Sequence, residues 1–170
     1  MIARLLALLF ALCLTSAAEA QIIWSTTGSG CVPDEATAKF ERYKVGNASV
    51  QHATGNVDLI VLTCPIPRFE KVSVHWGLLL TYQDSTGTAA PAFVRARLYR
   101  LPIGTATPIL VNTVSSNSSP ATALNNVDTL FPYTFNFGTN IYWVRVELER
   151  ALTNQTVIFH SVALGAVVVL

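Results

Sequence analysis

VSVHWGLLLTY, residues 72–82, decides the fold. Val72, Val74, Trp76, Leu78, Leu80 and Tyr82 fall on one side, and Ser73, His75, Gly77, Leu79 and Thr81 on the other. Side chains that swap sides at every residue belong to a strand with one face on a core. Gly77 in mid-strand predicts a bulge or a close approach of another backbone.

The same period recurs on both sides of this stretch. VDLIVLT, residues 57–63, is apolar on both faces and reads as a covered strand that stops at Cys64-Pro65-Ile66-Pro67. Residues 47–52 are a short strand, followed by the hairpin turn Thr54-Gly55-Asn56. Downstream, residues 93–101 send Val94, Ala96 and Leu98 one way and Arg95, Arg97 and Tyr99 the other. Residues 107–114 give another strand. Residues 130–137 and 140–150 predict a hairpin around Gly138-Thr139, with Tyr142, Val144, Val146 and Leu148 opposite Trp143, Arg145, Glu147 and Glu149. Residues 157–170 close the chain as an apolar strand.

Between these strands, SSNSSPATALNNVD, residues 115–128, reads as the longest polar loop and the most mobile segment. Residues 21–30 form an extended lead-in, and Cys31-Val32-Pro33-Asp34 is a turn. Residues 34–43, DEATAKFERY, open with acidic residues and suit a short helical turn. No other segment has a helical period. About eight short strands at this spacing predict an all-β, two-sheet β-sandwich, with a jelly roll as the favoured topology.

The N-terminus is of another kind. Arg4 precedes an unbroken apolar run to Leu14, and Ala18-Glu19-Ala20 follows as a small-residue cleavage site. This is the order of a secretory signal peptide, and the run is too short to span a bilayer. A lipoprotein reading at Cys13 fails because Leu12, not a small residue, precedes it. The expected division is therefore a signal peptide at residues 1–20 and one domain at residues 21–170, secreted or periplasmic and not inserted in the membrane after cleavage. About 150 residues suffice to bury a core without a metal or a partner.

Once Arg4 and Glu19 are removed, ten Lys and Arg face nine Asp and Glu. That balance argues against nucleic acid and against a polybasic membrane patch. Cys31 and Cys64 remain as an even pair in an oxidising compartment, which predicts a disulfide.

Chemistry-bearing patterns are sparse. His52, His75 and His160 are isolated, without carboxylates at metal-ligand spacing, and no Gly-x-Ser-x-Gly elbow occurs. Asp84 to Gly87 lacks the spacing of a calcium loop and reads as a turn. The expectation is no cofactor, no metal and no enzymatic activity, with a hydrolase as the least favoured alternative. The surface of most interest is the polar face carrying Arg95, Arg97, Tyr99, Trp143 and Arg145, where aromatics beside arginines can stack a sugar or anchor a protein. Glu147 and Glu149 share that face, and ordinary cross-strand Arg–Glu pairing explains the charges without a ligand. Three N-x-S/T sequons, at Asn47, Asn117 and Asn154, matter only in a eukaryotic secretory route.

Gly30-Cys31-Val32-Pro33-Asp34, Leu62-Thr63-Cys64-Pro65-Ile66, Leu80-Thr81-Tyr82-Gln83-Asp84 and Tyr142-Trp143-Val144-Arg145-Val146 together resemble a loose group of small exported bacterial β-sandwich proteins. The shared motifs are a cysteine pair, strand starts and turns. The resemblance implies fold and export, and it assigns no active residue.

Two functions follow as expectations. The first is a binding or interaction module for a glycan or protein. The second is a structural subunit of an envelope or surface assembly that self-associates through edge strands. The apolar, Val-rich terminus at 157–170 is interrupted by His160 and Ser161 and reads best as a buried final strand, with a tail removed during glycolipid anchoring and a strand that pairs with another subunit as the alternatives.

Overall fold

The period-two stretch is strand β6 (His75–Asp84), and Trp76, Leu78, Leu80, Tyr82 and Asp84 along it are fully buried. The computed structural model describes residues 20–70, 75–86, 92–119 and 121–167. Residues 72–74, the first part of the expected strand, and residues 1–19 of the expected signal peptide lie outside the described residues.

The remaining strands are β1 (Ala20–Thr27), β2 (Val32–Pro33), β3 (Tyr43–Val45), β4 (Val50–His52), β5 (Ile60–Pro65), β7 (Phe93–Pro102), β8 (Ile109–Ser115), β9 (Ala121–Pro132), β10 (Asn140–Glu149) and β11 (Val157–Val167). One sheet has the order β3-β4-β11-β6-β9, with β1 also on β11, and the other has the order β2-β5-β10-β7-β8. All pairings are antiparallel, and β4 pairs β11, β5 pairs β10, β6 pairs β9 and β7 pairs β8. Those nested pairs describe one long hairpin, β4 to β7 against β8 to β11, rolled into two facing sheets. This is the jelly roll that the sequence favours, built from the eight strands β4 to β11, and β1, β2 and β3 add to the expected count of about eight.

The core between the sheets takes Ile60, Leu62, Leu78, Leu80, Leu98, Val144, Val146, Leu148, Phe159 and Leu164, all fully buried. The Cys31–Cys64 disulfide, with 4.4 Å between Cα atoms, ties the chain ahead of β2 to β5. The expected helical turn is α1 (Glu35–Lys39), shorter than residues 34–43. Asp34 caps it by accepting from the Thr37 amide at 2.7 Å. Buried Thr37 Oγ1 then accepts from the Val61 amide at 3.0 Å, which fastens the turn to β5.

Several expectations are corrected. The lead-in at 21–30 is mostly β1, which runs along β11 from Thr27 opposite Ser161 to Ala20 opposite Val167. The polar loop at 115–128 is a 3₁₀ turn (Ser116–Ser118) followed by β9. Its polar composition hides an edge strand whose inward positions mix apolar Val127 and Phe131 with polar Asn125 and Thr129. Leu124 and Leu130 point out, each 63% exposed, while Asn125 and Thr129 lie opposite buried Tyr82 and Leu78. Asn125 Nδ2 meets its inward position by donating to Ser119 Oγ at 3.3 Å.

The hairpin of 130–137 with 140–150 does not form. β9 ends at Pro132 in one sheet, whereas β10 sits between β5 and β7 in the other. The odd-numbered aromatics Tyr133, Phe135 and Phe137 mimic strand alternation but pack on one another and on Tyr142 as the chain crosses between sheets.

β11 has β6 on one side and β4 and β1 on the other. This interior place overturns two readings of its residues, as a removable tail and as an edge for another subunit. β5 starts later than residue 57 and includes Cys64 and Pro65, proline being tolerated at a strand end. Gly77 is not at a bulge. It pairs regularly with Gly165, and the register shifts fall instead at Phe159/Ser161 and Tyr82/Asp84.

Candidate functional site

β7 and β10 lie side by side in the five-stranded sheet, and their register builds its outer face in rows. Tyr99 is opposite Trp143, Arg97 opposite Arg145, and Arg95 opposite Glu147. β5 adds Pro65 beside Trp143 and Thr63 beside Arg145, and β8 adds Leu110 beside Tyr99 and Thr113 beside Arg97. All five residues singled out from sequence, Arg95, Arg97, Tyr99, Trp143 and Arg145, are therefore neighbours on one half-exposed surface. Their even-numbered neighbours Val94, Ala96, Leu98, Val144 and Val146 are buried in the core, so the strand period itself drives the five outward.

The Tyr99 and Trp143 rings lie nearly parallel, 18° between planes and 5.7 Å between centroids. Exposed Ile141, opposite Leu101, extends the apolar end of the face, as does exposed Leu110.

At the other end one carboxylate gathers three guanidiniums. Glu147 Oε2 lies 3.0 Å from Arg95 Nη2, and Glu147 Oε1 lies 3.0 Å from Arg97 Nη1 and 3.1 Å from Arg145 Nε. Arg95 Nε and Arg97 Nη1 donate true hydrogen bonds to it. Arg145 Nε approaches at too bent an angle and is left as a buried donor without an acceptor. The Glu147 side chain is only 5% exposed, whereas the three arginines retain 28–41%. Arg95 also lies over the buried Phe93 ring, 4.2 Å from its centroid. Cross-strand pairing thus accounts for the positions of the charges, as the sequence allows. It leaves two positive charges uncompensated within the cluster, and they face solvent.

The histidines are dispersed. His52 on β4 shares a 3.1 Å hydrogen bond with the Asp58 carbonyl, and burial, reinforced by nearby Arg150, lowers its pKa to about 4. Arg150 is a structural pin that donates to the carbonyls of Ala53, Asn56, Thr153 and Gln155. His160 lies on β11 and is lowered by burial. His75 begins β6 on its exposed side. Among the described residues, no group of three or more His, Cys, Asp or Glu side chains could hold a metal ion.

Asp84 is buried and hydrogen-bonded to a serine, but the arrangement is a structural clasp. Asp84 Oδ2 accepts from Ser116 Oγ at 2.7 Å, whose oxygen in turn accepts from the Val94 amide at 3.0 Å. Asp84 Oδ1 takes the Thr86 amide and hydroxyl at 3.0 and 2.6 Å, which makes residues 84–86 a turn.

One feature escaped the sequence reading. At one end of the sandwich Phe69, Phe135 and Phe137, with Arg68 and Asn136, line an open cleft of about 420 Å³. The signal was the aromatic spacing at 133–137, which imitates a strand. Tyr133, half-buried there and hydrogen-bonded to Tyr142, has its pKa raised by burial.

No protein-family model and no curated protein matches the chain. Among solved structures it is similar to the CBM36-1 domain of a multidomain xylanase from the hindgut metagenome of Trinervitermes trinervoides, with 11% identity and a TM-score of 0.43 over 86% of this chain and 98% of that one. It is also similar to a family GH115 4-O-methyl-alpha-glucuronidase with specificity for decorated arabinogalactans, with 9% identity and a TM-score of 0.47 over 89% of this chain and 18% of that one. A third likeness is to Eiger TNF from S. frugiperda, with 10% identity and a TM-score of 0.35 over 89% of this chain and 91% of that one. Such distant likenesses say nothing of what this chain binds. The sandwich itself rests on its own strand order.

Proposed function

We propose that this protein is an exported, non-enzymatic binding module that holds a glycan or a protein surface on the outer face of its five-stranded sheet. The observation that carries this reading is the near-parallel Tyr99–Trp143 pair, half-exposed beside a fixed array of guanidiniums. Aromatic rings supply apolar contact area at small entropic cost, and arginines supply directional donors, which is the composition of binding hot spots. A rigid antiparallel ladder positions them more precisely than a loop would. The test is a glycan array and a pull-down with wild type and Trp143→Ala. Retention by wild type and its loss in a folded Trp143→Ala supports the reading, and blank arrays and pull-downs for wild type refute it.

Export rests on the N-terminal pattern and on the disulfide, which suits an oxidising compartment. Among the described residues no helix is long and apolar enough to cross a membrane. Mass spectrometry of exported material is expected to show a chain starting at Gln21, the second residue of β1.

A second reading, assembly through edge strands, is favoured by one observation. The long edge strands β8 and β9 carry exposed Ile109, Leu110, Leu124 and Leu130. It requires concentration-dependent self-association, and a strictly monomeric protein at high concentration counts against it.

A further inference from the structure

We propose that the ligand of the β7–β10 face is an acidic glycan, one in which a sugar ring packed on Tyr99 and Trp143 bears a carboxylate held by Arg97 and Arg145. This deepens the binding reading above and rests on it.

The first ground is charge. Within the cluster three guanidiniums meet one carboxylate, and the two signs lie at different depths. Glu147 is 5% exposed beneath arginines that are 28–41% exposed. What reaches solvent is positive. Glu149 lies on the same face two residues further along β10, opposite Phe93, and so on the far side of the cluster from the aromatic pair. The end of the face that joins the aromatics is thus its most positive part.

The second ground is donor supply. A guanidinium carries five N–H groups in a planar fork that matches a carboxylate. Glu147 receives one hydrogen bond from Arg97 and none of good geometry from Arg145. Most donors of this pair remain for an external acceptor. Glu147 meanwhile restrains both side chains, so less rotamer freedom is lost when a ligand arrives. Lysines would give the same charge without the fork.

The third ground is spacing. The Tyr99/Trp143 row and the Arg97/Arg145 row are successive outward rows of one ladder. Strand rise sets them about 7 Å apart. That places an anion on the arginines within one substituent of a ring seated on the aromatics. A sugar ring has a C–H face for the aromatic pair and, in a uronic acid, a carboxylate projecting from its edge. A neutral sugar leaves the arginines unanswered, and an acidic peptide leaves the aromatic pair unused.

The experiment is calorimetric titration of the purified protein with oligogalacturonate, the same oligomer reduced at its carboxyls, a sulfated dextran oligomer and a poly-glutamate peptide, each at two salt concentrations. Oligogalacturonate is expected to bind at least tenfold more tightly than its reduced form. Arg97→Gln and Arg145→Gln are each expected to remove at least tenfold of that affinity and to flatten its salt dependence. Arg145→Lys is expected to recover only part of the loss. Tyr99→Ala is expected to weaken the charged and the reduced oligomer alike, with melting curves verifying that every variant is folded. Equal binding of charged and reduced oligomers overturns the acidic-glycan proposal and leaves the binding module standing. Equal or better binding of the sulfated oligomer or of poly-glutamate also overturns it, since the face would then read charge alone. Absence of binding to all four probes overturns it as well, and a blank glycan array with blank pull-downs would remove the underlying reading too.

Discussion

Arg97 and Arg145 stand directly opposite each other on neighbouring strands, like charges in register, and both reach the same oxygen of Glu147, at 3.0 and 3.1 Å. Like charges across a ladder are ordinarily destabilising. Here one buried carboxylate makes the arrangement tenable, and Glu147 becomes the residue on which the face depends.

Glu147→Gln is therefore expected to destabilise the fold by about 2–4 kcal/mol, because it leaves clustered guanidiniums without their anion. Glu149→Gln, further along the same strand, is expected to change stability by no more than about 0.5 kcal/mol. Urea denaturation of the two variants measures the difference, and equal effects would show that Glu147 does not organise the cluster.

Trp143→Ala and Tyr99→Ala are expected to cost about 1–2 kcal/mol each, since both rings are half-exposed and lose mainly each other. Trp76→Ala, in the core with its indole donating to the Tyr133 carbonyl at 3.0 Å, is expected to cost about 3–5 kcal/mol. Thermal melts of the three variants give the comparison. A Trp143 variant as damaged as the Trp76 variant would make Trp143 a structural residue.

Cys31→Ser with Cys64→Ser is expected to cost roughly 3–4 kcal/mol, from the loop-closure entropy of a bridge spanning 33 positions. The strand order is expected to survive, because β2 and β5 keep their ladder pairing. Denaturant curves with and without reductant test this. No change on reduction would mean that the bridge contributes nothing to stability.

Stability is expected to fall as pH drops from about 6.5 towards 4. His52 is held neutral down to about 4 in the folded protein, while the unfolded chain takes up its proton near 6.5. Protonation therefore favours the unfolded state across that window, and His160, also lowered by burial, acts in the same direction. Discounted for partial solvent access, the His52 contribution is about 1–2 kcal/mol. His52→Gln is expected to flatten the stability profile between these pH values, and an unchanged slope would contradict the assignment.

What was legible in the sequence follows from where the core speaks through the strand. β6, β7 and β10 alternate strictly because each has one face on the core, so their inward and outward residues, the five site residues among them, are readable directly. β9 was not readable, since Asn125 and Thr129 take inward positions and Leu124 and Leu130 outward ones. An edge strand can satisfy inward polar groups locally, as Asn125 does with Ser119. Tyr133, Phe135 and Phe137 misled in the opposite way, because aromatic packing at the end of the sandwich has the period of a strand without a partner strand. Residues 157–170 read as a buried final strand, but composition alone does not distinguish a central strand from an edge. The gathering of three arginines on Glu147 was only half visible: pairing was foreseeable, but not that one glutamate would serve three partners.

The most direct test of the binding face uses the chain's tryptophans as separate reporters in an ¹H–¹⁵N spectrum during titration with a ligand identified by the array. The Trp143 indole N–H is expected to shift with ligand concentration, together with the Arg97 and Arg145 side-chain signals, while the buried Trp76 indole stays fixed. Shifts confined to the Phe69–Phe137 cleft, or a Trp143 signal unmoved at saturation, would contradict the account.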